Sequence, residues 1–417
     1  MIIRDPVHGD IELSREEARV LDTREMQRLR SIKQLGTAYL VYPGCTHTRF
    51  DHSLGTLAAA GRILESLRKK GERIEEDDVR LIRLAALVHD VTHIPFGHTF
   101  EDERKVFPRH DNPERIRYFL SHGELGDVLE GLGLRRSLIA LLTRPSDWRG
   151  QVVSGTLDAD LLDYLRRDSY FAGLRQDYDD RIYSYFCIEG DQLACELTKK
   201  GMERHDARSE IVHLLRMRYF LTERVYFHHA KVISGAMVSK ALELAAARGV
   251  TEKDLYELGD ESLFRFLAEQ GEACARLIQG VQQRKLYKRA YLASYTNVTP
   301  HEQERLVRMY HESASRRRGL EEAIAAEAGI PADEVIVYCP PKTVLKEAAL
   351  LARLPEGTLR LNETADRHLE LDAIGELYAR IWRFWVFTPQ EYAAQAGRAA
   401  ERLLGIENEL AHRCVRS

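Results

Sequence analysis

Three histidines and one aspartate crowd into the ten residues from His89 to His98, inside the otherwise apolar stretch Leu84-Ala-Ala-Leu-Val-His-Asp-Val-Thr-His-Ile-Pro-Phe-Gly-His98. Such a cluster invites a metal ion, and a chain that binds one here must bring further ligands to this point. Leu81, Leu84, Ala85 and Val88 follow the i, i+3, i+4, i+7 spacing of a buried helical face, which predicts a helix from Asp78 to Asp90. Pro95 marks its break. Successive helical residues point about 100° apart, so one ion over the helix end can reach both His89 and Asp90. An imidazole with a carboxylate suits a borderline divalent metal. Alone, a His-Asp pair is as often an ordinary surface feature.

Two other segments can complete a coordination sphere. Arg49-Phe-Asp-His-Ser-Leu-Gly55 opens a helix expected to run to Lys70, with Ser53 as N-cap and His52 at its start. Asp158-Ala-Asp-Leu-Leu-Asp-Tyr-Leu-Arg-Arg-Asp168 reads as a helix that sets Asp160, Tyr164 and Asp168 on one side. A polar stripe of this kind can also simply face water. Here Asp163 and Arg166, on the other side, are expected to face solvent.

The order His52, His89-Asp90, Asp160 resembles the H…HD…D ligand set of the HD-domain phosphohydrolase superfamily. Asp5-Pro-Val-His-Gly9, Gln27-Arg-Leu-Arg-Ser-Ile-Lys-Gln-Leu-Gly36, Arg49-Phe-Asp-His-Ser-Leu-Gly55 and Asp158-Ala-Asp-Leu-Leu-Asp-Tyr164 extend the resemblance to its dNTP triphosphohydrolase branch. The likeness covers roughly residues 1–295 and is strongest before residue 170. It implies His52, His89, Asp90 and Asp160 as ligands of one divalent ion (Mn, Fe, Mg, Zn, Ni or Co), with room for a second Mg arriving with the nucleotide. His93 and His98 match histidines of the phosphate channel, and His110, with Asp111 beside it, matches one that orients the acid/base. His98 takes the acid role, although the sequence leaves open which histidine carries the proton. Arg49 matches a phosphate clamp, Gln34 and Leu35 neighbours of the deoxyribose, and Tyr164, Asp168 and Tyr226 the wall against a 2′-hydroxyl. Arg218 resembles an arginine that reaches the phosphates. Asp22, Gln27 and Arg30, with Arg284 and Lys288 from a neighbouring subunit, match a site for a GTP or dNTP activator; local ion pairs would explain the same residues.

One departure bears on substrate. Family members carry a lysine or arginine directly after the fourth ligand, whereas this chain has Leu161. Either Arg167, Arg218 or another basic residue substitutes, or the substrate carries fewer phosphates. Thr92 and Gly97 replace a glycine and a serine of the family's H-D-x-G-H-x-P-F-S-H pattern.

The expected chemistry is attack of a metal-activated water on the α-phosphorus of a dNTP, releasing deoxynucleoside and triphosphate. Two imidazoles and two carboxylates leave open positions for water and a phosphate oxygen. No H-E-x-x-H helix of a zinc peptidase occurs. Two alternatives stand beside this reading. One is an HD-type phosphodiesterase or phosphatase acting on nucleoside monophosphates or oligonucleotide ends. The other is a nucleotide-sensing or nucleic-acid-binding module with a weak site. The net charge of −4 does not indicate a general nucleic-acid coat, and the basic run Ser313-Ala-Ser-Arg-Arg-Arg318 reads as a solvated helix face.

At 417 residues, 44% hydrophobic and 30% charged, the composition is that of a globular enzyme, expected to be cytoplasmic and outside the membrane. The activator site that the resemblance implies would make it a homo-oligomer, dimer or tetramer. Six scattered cysteines without C-x-x-C spacing predict free thiols. The expected fold is mainly α: an HD-type helical core over residues 1–284 with a small β-hairpin, and a C-terminal α+β region over 285–417. Two short strands fill residues 1–13, helices 14–35, and a hairpin 182–197 around Glu189-Gly-Asp191. Long helices are expected over 208–248 and 300–328, shorter ones over 251–283, and strands over 285–295 and 334–339.

Overall fold

The computed structural model describes residues 1–363 and 369–411. The chain is mainly α, with a few small sheets. Strands β1 (Ile2–Asp5) and β2 (Gly9–Glu12) pair in register around the Pro6–Gly9 turn. Three helices then frame the site: α1 (Arg49–Lys69), α2 (Glu76–Val88) and α3 (Ala159–Phe171). Their apolar faces, with Leu57, Ile63, Leu87, Val88, Leu162 and Leu165 all buried, share one core.

Helix α1 begins earlier than expected. Its N-cap is Thr48, whose hydroxyl accepts from the Asp51 amide while the Asp51 carboxylate accepts from the Thr48 amide at 2.7 Å. Ser53, the expected cap, is therefore a buried residue of the second turn, and His52 lies in the first. Helix α2 ends at Val88, so His89 is its C-cap and Asp90 lies in the following turn, well before Pro95. The loop then makes a tight turn with Phe96 in the left-handed region (φ 58°) and winds into a π-helical turn, Thr99–Arg104.

The hairpin is narrower than read from sequence: β3 (Phe186–Glu189) and β4 (Gln192–Glu196) pair around Gly190-Asp191. The long 208–248 helix is two helices, α4 (His205–Leu221) and α5 (His229–Ala246), separated by a π-helical turn over Thr222–Tyr226. No glycine or proline signals that break. The Thr222 hydroxyl bonds back to the Arg218 carbonyl at 2.7 Å, a local interaction that bends helices. The 300–328 segment is likewise divided, because Ser313 caps a new helix at Ala314–Ala328.

Two sheets complete the fold. Strand β5 (Lys288–Ser294) and β6 (Ile336–Tyr338) flank β9 (Arg383–Thr388) antiparallel, while β7 (Leu351–Leu354) and β8 (Gly357–Arg360) extend the β3–β4 hairpin, β7 lying parallel to β4. Alternation along β5 and β9 covers both faces of their sheet. Leu292, Trp385 and Phe387 pack with α5, and Tyr291, Phe384 and Val386 with the C-terminal helices. Ile94 and Phe96 of the histidine-bearing loop belong to the α5 core, so that loop is anchored from below.

Candidate metal centre

Helices α1, α2 and α3 deliver His52, His89, Asp90 and Asp160 to one point. Ligand atoms of His52, His89 and Asp90 lie within 4.8 Å of one another. Asp160 Oδ1 is 2.8 Å from His52 Nε2 and 3.8 Å from His89 Nε2. Each imidazole is held from behind so that Nε2 faces inward. The His52 Nδ1 group donates to Asp163 Oδ2 at 2.7 Å, and His89 Nδ1 to the Ala86 carbonyl at 2.8 Å. His89 Nε2 is buried and without a hydrogen-bond partner among the described residues. Buried polar atoms are nearly always paired, so an inward-facing unpaired imidazole nitrogen beside two carboxylates fits a divalent metal.

Electrostatics support the same set. Burial opposes the charge on Asp90, yet Arg49, His89 and His93 hold its carboxyl well below the usual range. Burial likewise opposes His52, but Asp160 and Asp163 raise its imidazole to about 10, so that without metal Nε2 holds a proton toward Asp160. Metal binding there requires release of that proton.

Asp163 was expected to face solvent. Instead it is completely buried, bonded to His52, to His8 Nε2 at 2.6 Å and to Arg167 at 2.9 and 3.0 Å. Arg167 also holds Asp5 at 2.8 Å. This network beneath the ligands takes Arg167 out of the pocket, so Arg167 cannot replace the cation missing at Leu161. Gly55 makes room for it: a Cβ there would lie 1.9 Å from Asp163 Oδ1.

Beyond the ligands stands a trio of histidines. His93 is fully buried, its Nε2 3.2 Å from Asp90 Oδ1 without hydrogen-bond alignment, and its ring stacks on His110 at 3.8 Å. Burial, aided by Arg49 and His110, pushes His93 well below the normal imidazole range. His110 is paired with Glu101 at 2.9 Å, not with Asp111, which lies exposed on Arg109. The expected His110–Asp111 pair is thus replaced by His110–Glu101. His98 is the half-exposed member and has its own carboxylate, Asp102, at 3.2 Å. Arg28 donates to the carbonyls of Val91 and His93 at 2.9 and 2.8 Å and fixes the loop. A carboxylate three or four residues after His98 was the available signal for Glu101 and Asp102; Arg28 and Asp163 carried none beyond their motifs.

The remaining expected pocket residues are distributed as follows. Arg49 is buried with Nη1 2.6 Å from Asp90. Tyr226 donates to Asp168 Oδ2 at 2.6 Å while His47 holds Asp168 Oδ1 at 2.8 Å, so Asp168 lies behind the tyrosine. Tyr164, one turn after Asp160, hydrogen-bonds Arg218 of α4. Gln34 Oε1 is buried and without a hydrogen-bond partner among the described residues, with Leu35 partly buried next to it in sequence. Away from the centre, Gln27 and Arg30 line a cleft of about 920 Å³, which Asp22, Arg284 and Lys288 do not line. Arg30 lies 3.6 Å over the Phe50 ring, and Arg284 donates to the Leu40 carbonyl at 3.1 Å. The five described cysteines are buried and free; Cys414 lies outside the described residues.

Comparison with known proteins places this geometry in context. A family model described as HD domain matches residues 49–168, and one described as HD associated region matches 210–413. An uncharacterized protein from Methanocaldococcus jannaschii is 30% identical over 400 residues, 94% of this chain and 79% of its own length. The deoxynucleoside triphosphate triphosphohydrolase SAMHD1 from Homo sapiens is 28% identical over 280 residues, 58% of this chain and only 44% of its own. A phosphohydrolase crystal structure from Bacteroides thetaiotaomicron shares the fold, with TM-score 0.70 and 23% identity over 94% of this chain and 100% of that one. Family models that match residues 49–168 and 210–413, and an archaeal relative 30% identical over 94% of this chain, establish that this chain belongs to the HD-domain phosphohydrolase superfamily.

Proposed function

We propose that this protein is a metal-dependent nucleotide phosphohydrolase that cleaves dNTPs to deoxynucleoside and inorganic triphosphate. The reading rests on the convergence of His52, His89, Asp90 and Asp160 with an unpaired His89 Nε2, and the named SAMHD1 relatives support the substrate class. A divalent metal held by these four side chains supplies Lewis-acid charge and a water of lowered pKa. Residues of the chain do the rest. His98, partly exposed and oriented by Asp102, holds a proton for the leaving 5′-oxygen. His93 is kept neutral by burial beside Asp90 and His110 is fixed by Glu101, so both orient phosphate oxygens. Gln34, whose Oε1 has no partner among the described residues, accepts from the 3′-hydroxyl while Leu35 packs beside the sugar, and Tyr164, with Asp168 and Tyr226, closes the space a 2′-hydroxyl would need.

The cleft at Gln27 and Arg30 is assigned to a GTP or dNTP activator, with Asp22 as a further contact and Arg284 and Lys288 supplied by a second copy in a dimer or tetramer. Residues 1–284 act as the catalytic unit and 285–417 as the regulatory or oligomer-forming part. We place the protein in the cytoplasm; among the described residues no helix is long and apolar enough to cross a membrane. A second reading, hydrolysis of monophosphates or oligonucleotide ends, is favoured by Leu161, because the family's cation is absent there and Arg167 is committed to Asp5 and Asp163. Product analysis with each dNTP and dNMP, with Mn²⁺, Mg²⁺ or Fe²⁺ and with or without GTP, separates the two. Deoxynucleoside plus triphosphate is the expected outcome; cleavage of monophosphates alone would replace the first reading with the second.

A further inference from the structure

Arg218 does not stand free in the pocket. Its Nη2 lies 3.0 Å from Glu347 Oε1, its Nη1 bonds the Tyr164 hydroxyl, and its guanidinium lies 5.7 Å from the Tyr164 ring centre. Glu347 comes from a short helical turn, Lys346–Ala349, far along the chain in the segment that leads into β7. It is only 9% exposed, and its second oxygen, Oε2, is buried without a hydrogen-bond partner among the described residues. Leu157, Leu161, Leu214 and Leu350 surround the pair. A carboxylate with one satisfied oxygen in a leucine-lined recess is therefore bound chiefly by Arg218, whose other side-chain partners, Tyr164 and Tyr378, are hydroxyls and leave Glu347 as its paired anion. The pairing strengthens the charge on Arg218 against the desolvation that opposes it.

The position matters because of what lies one turn away. Tyr164 follows Asp160 by four residues on α3, so the arginine bonded to its hydroxyl is tied to the same helix face one turn beyond the fourth candidate ligand. Leu161, at the position where the family places a cation, is on the same recess as Glu347. Arg49, the other arginine at the centre, is also matched by a carboxylate, Asp90, while Arg167 is held beneath the centre by Asp5 and Asp163. A phosphate chain that reaches Arg218 must compete with Glu347 for it. Displacement would leave a buried carboxylate unpaired, and a longer, more negative chain would also meet that carboxylate at close range.

We propose that Glu347 is a specificity-determining residue that neutralises Arg218 and so restricts the negative charge of the phosphate chain the site accepts. It acts through Arg218 and touches no reacting atom. The inference rests on the proposed phosphohydrolase function and on the expectation, implied by the family resemblance, that Arg218 reaches the substrate phosphates. It deepens that reading by making phosphate-chain length, more than the base, the property this chain tunes by its own departures, Leu161 and Glu347.

The test uses binding, so it does not depend on turnover. With the full chain and a fixed excess of Mg²⁺, the dissociation constants of inorganic triphosphate and inorganic phosphate are measured by calorimetry. The proteins are wild type, Glu347→Gln, Arg218→Gln and the double variant, with Glu347→Asp as a second way of withdrawing the carboxylate if the first does not fold. The expected result is about tenfold tighter triphosphate binding in Glu347→Gln, a change below about twofold for phosphate, and no gain from Glu347→Gln once Arg218 is Gln. Unchanged triphosphate affinity in both Glu347 variants, or a gain that persists without Arg218, overturns the proposal. Wild-type protein inactive on every dNTP and dNMP would overturn the functional reading, while a triphosphate-selective, Arg218-dependent gain would still support the role of Glu347.

Discussion

His52 shows how much of the centre is decided by residues that never touch the metal. Its useful nitrogen faces inward because Asp163 takes the other one, and Asp163 is in turn held by His8 and Arg167. Replacing Asp163 with Asn keeps the size but lets the amide donate to Nδ1, which shifts the tautomer away from the metal. The expected outcome is a loss of about 10–100-fold in metal affinity, measured by titration followed through metal content. The convergence of His52, His89, Asp90 and Asp160 was legible in the sequence because their types and order are distinctive, but Asp163 was assigned to solvent because periodicity alone cannot tell a polar face buried against a histidine from one facing water. Gly55 held the missing clue, since only a glycine leaves space for that carboxylate. Titration supplies a second test at this scale. Asp260, buried where it accepts from Lys33 at 3.1 Å, is pushed up to about 6 by burial, with Lys33 opposing. The folded state therefore binds its proton more tightly than the unfolded chain. Its contribution is fully favourable below about pH 4 and is lost as pH rises through about 6, leaving a cost on the order of 3 kcal/mol at neutral pH. Melting temperatures of wild type and Asp260→Asn between pH 4 and 8 should show the wild-type value declining relative to the variant across that window; a constant difference contradicts the assignment.

At the level of elements, the positions of the histidine-bearing loop and of the α4–α5 break follow from contacts remote in sequence. The long helix expected over 208–248 is interrupted where neither glycine nor proline stands, and the interruption lets Tyr226 turn onto Asp168. Nothing in a window of local residues carries that information. The opposite end of the same arrangement is a buried charge cluster. Arg104, closing the π-helical turn after His98, bonds Glu243 of α5 and Glu321 of the Ala314–Ala328 helix, and Lys240 and Arg317 join them. Glu321 is 1% exposed and also accepts from the Val337 amide of β6 at 2.9 Å. Glu321→Gln removes one charge from a set that already has three cations for two anions. Breaking such a buried set costs about 3–5 kcal/mol, so the variant should melt markedly lower, by calorimetry, while its metal affinity in the folded state stays close to wild type. An unaltered melting temperature would mean that the cluster is not balanced as described.

The whole molecule joins the two expected parts more closely than a linear division suggests. Strand β7 pairs in parallel with β4, Cys195 opposite Ala352, so residues beyond 350 extend a sheet begun by the hairpin at 186–196. Mainly α architecture, the hairpin and a C-terminal α+β region were all legible from periodicity and turn residues. That pairing was not, because register between strands 150 residues apart leaves no local trace. The segment before β7 is also the one that brings Glu347 to Arg218, which connects the C-terminal region to α4 and, through Tyr164, to α3. The central claim is that His52, His89, Asp90 and Asp160 form a single metal centre. It is tested most directly by measuring bound Mn²⁺ per chain, together with the Mn²⁺-dependent rise in melting temperature, in wild type, His89→Ala and Asp90→Ala. The account predicts one tightly bound ion and a clear rise in wild type, with both lost in each variant; retention of a tightly bound ion in either variant would contradict it.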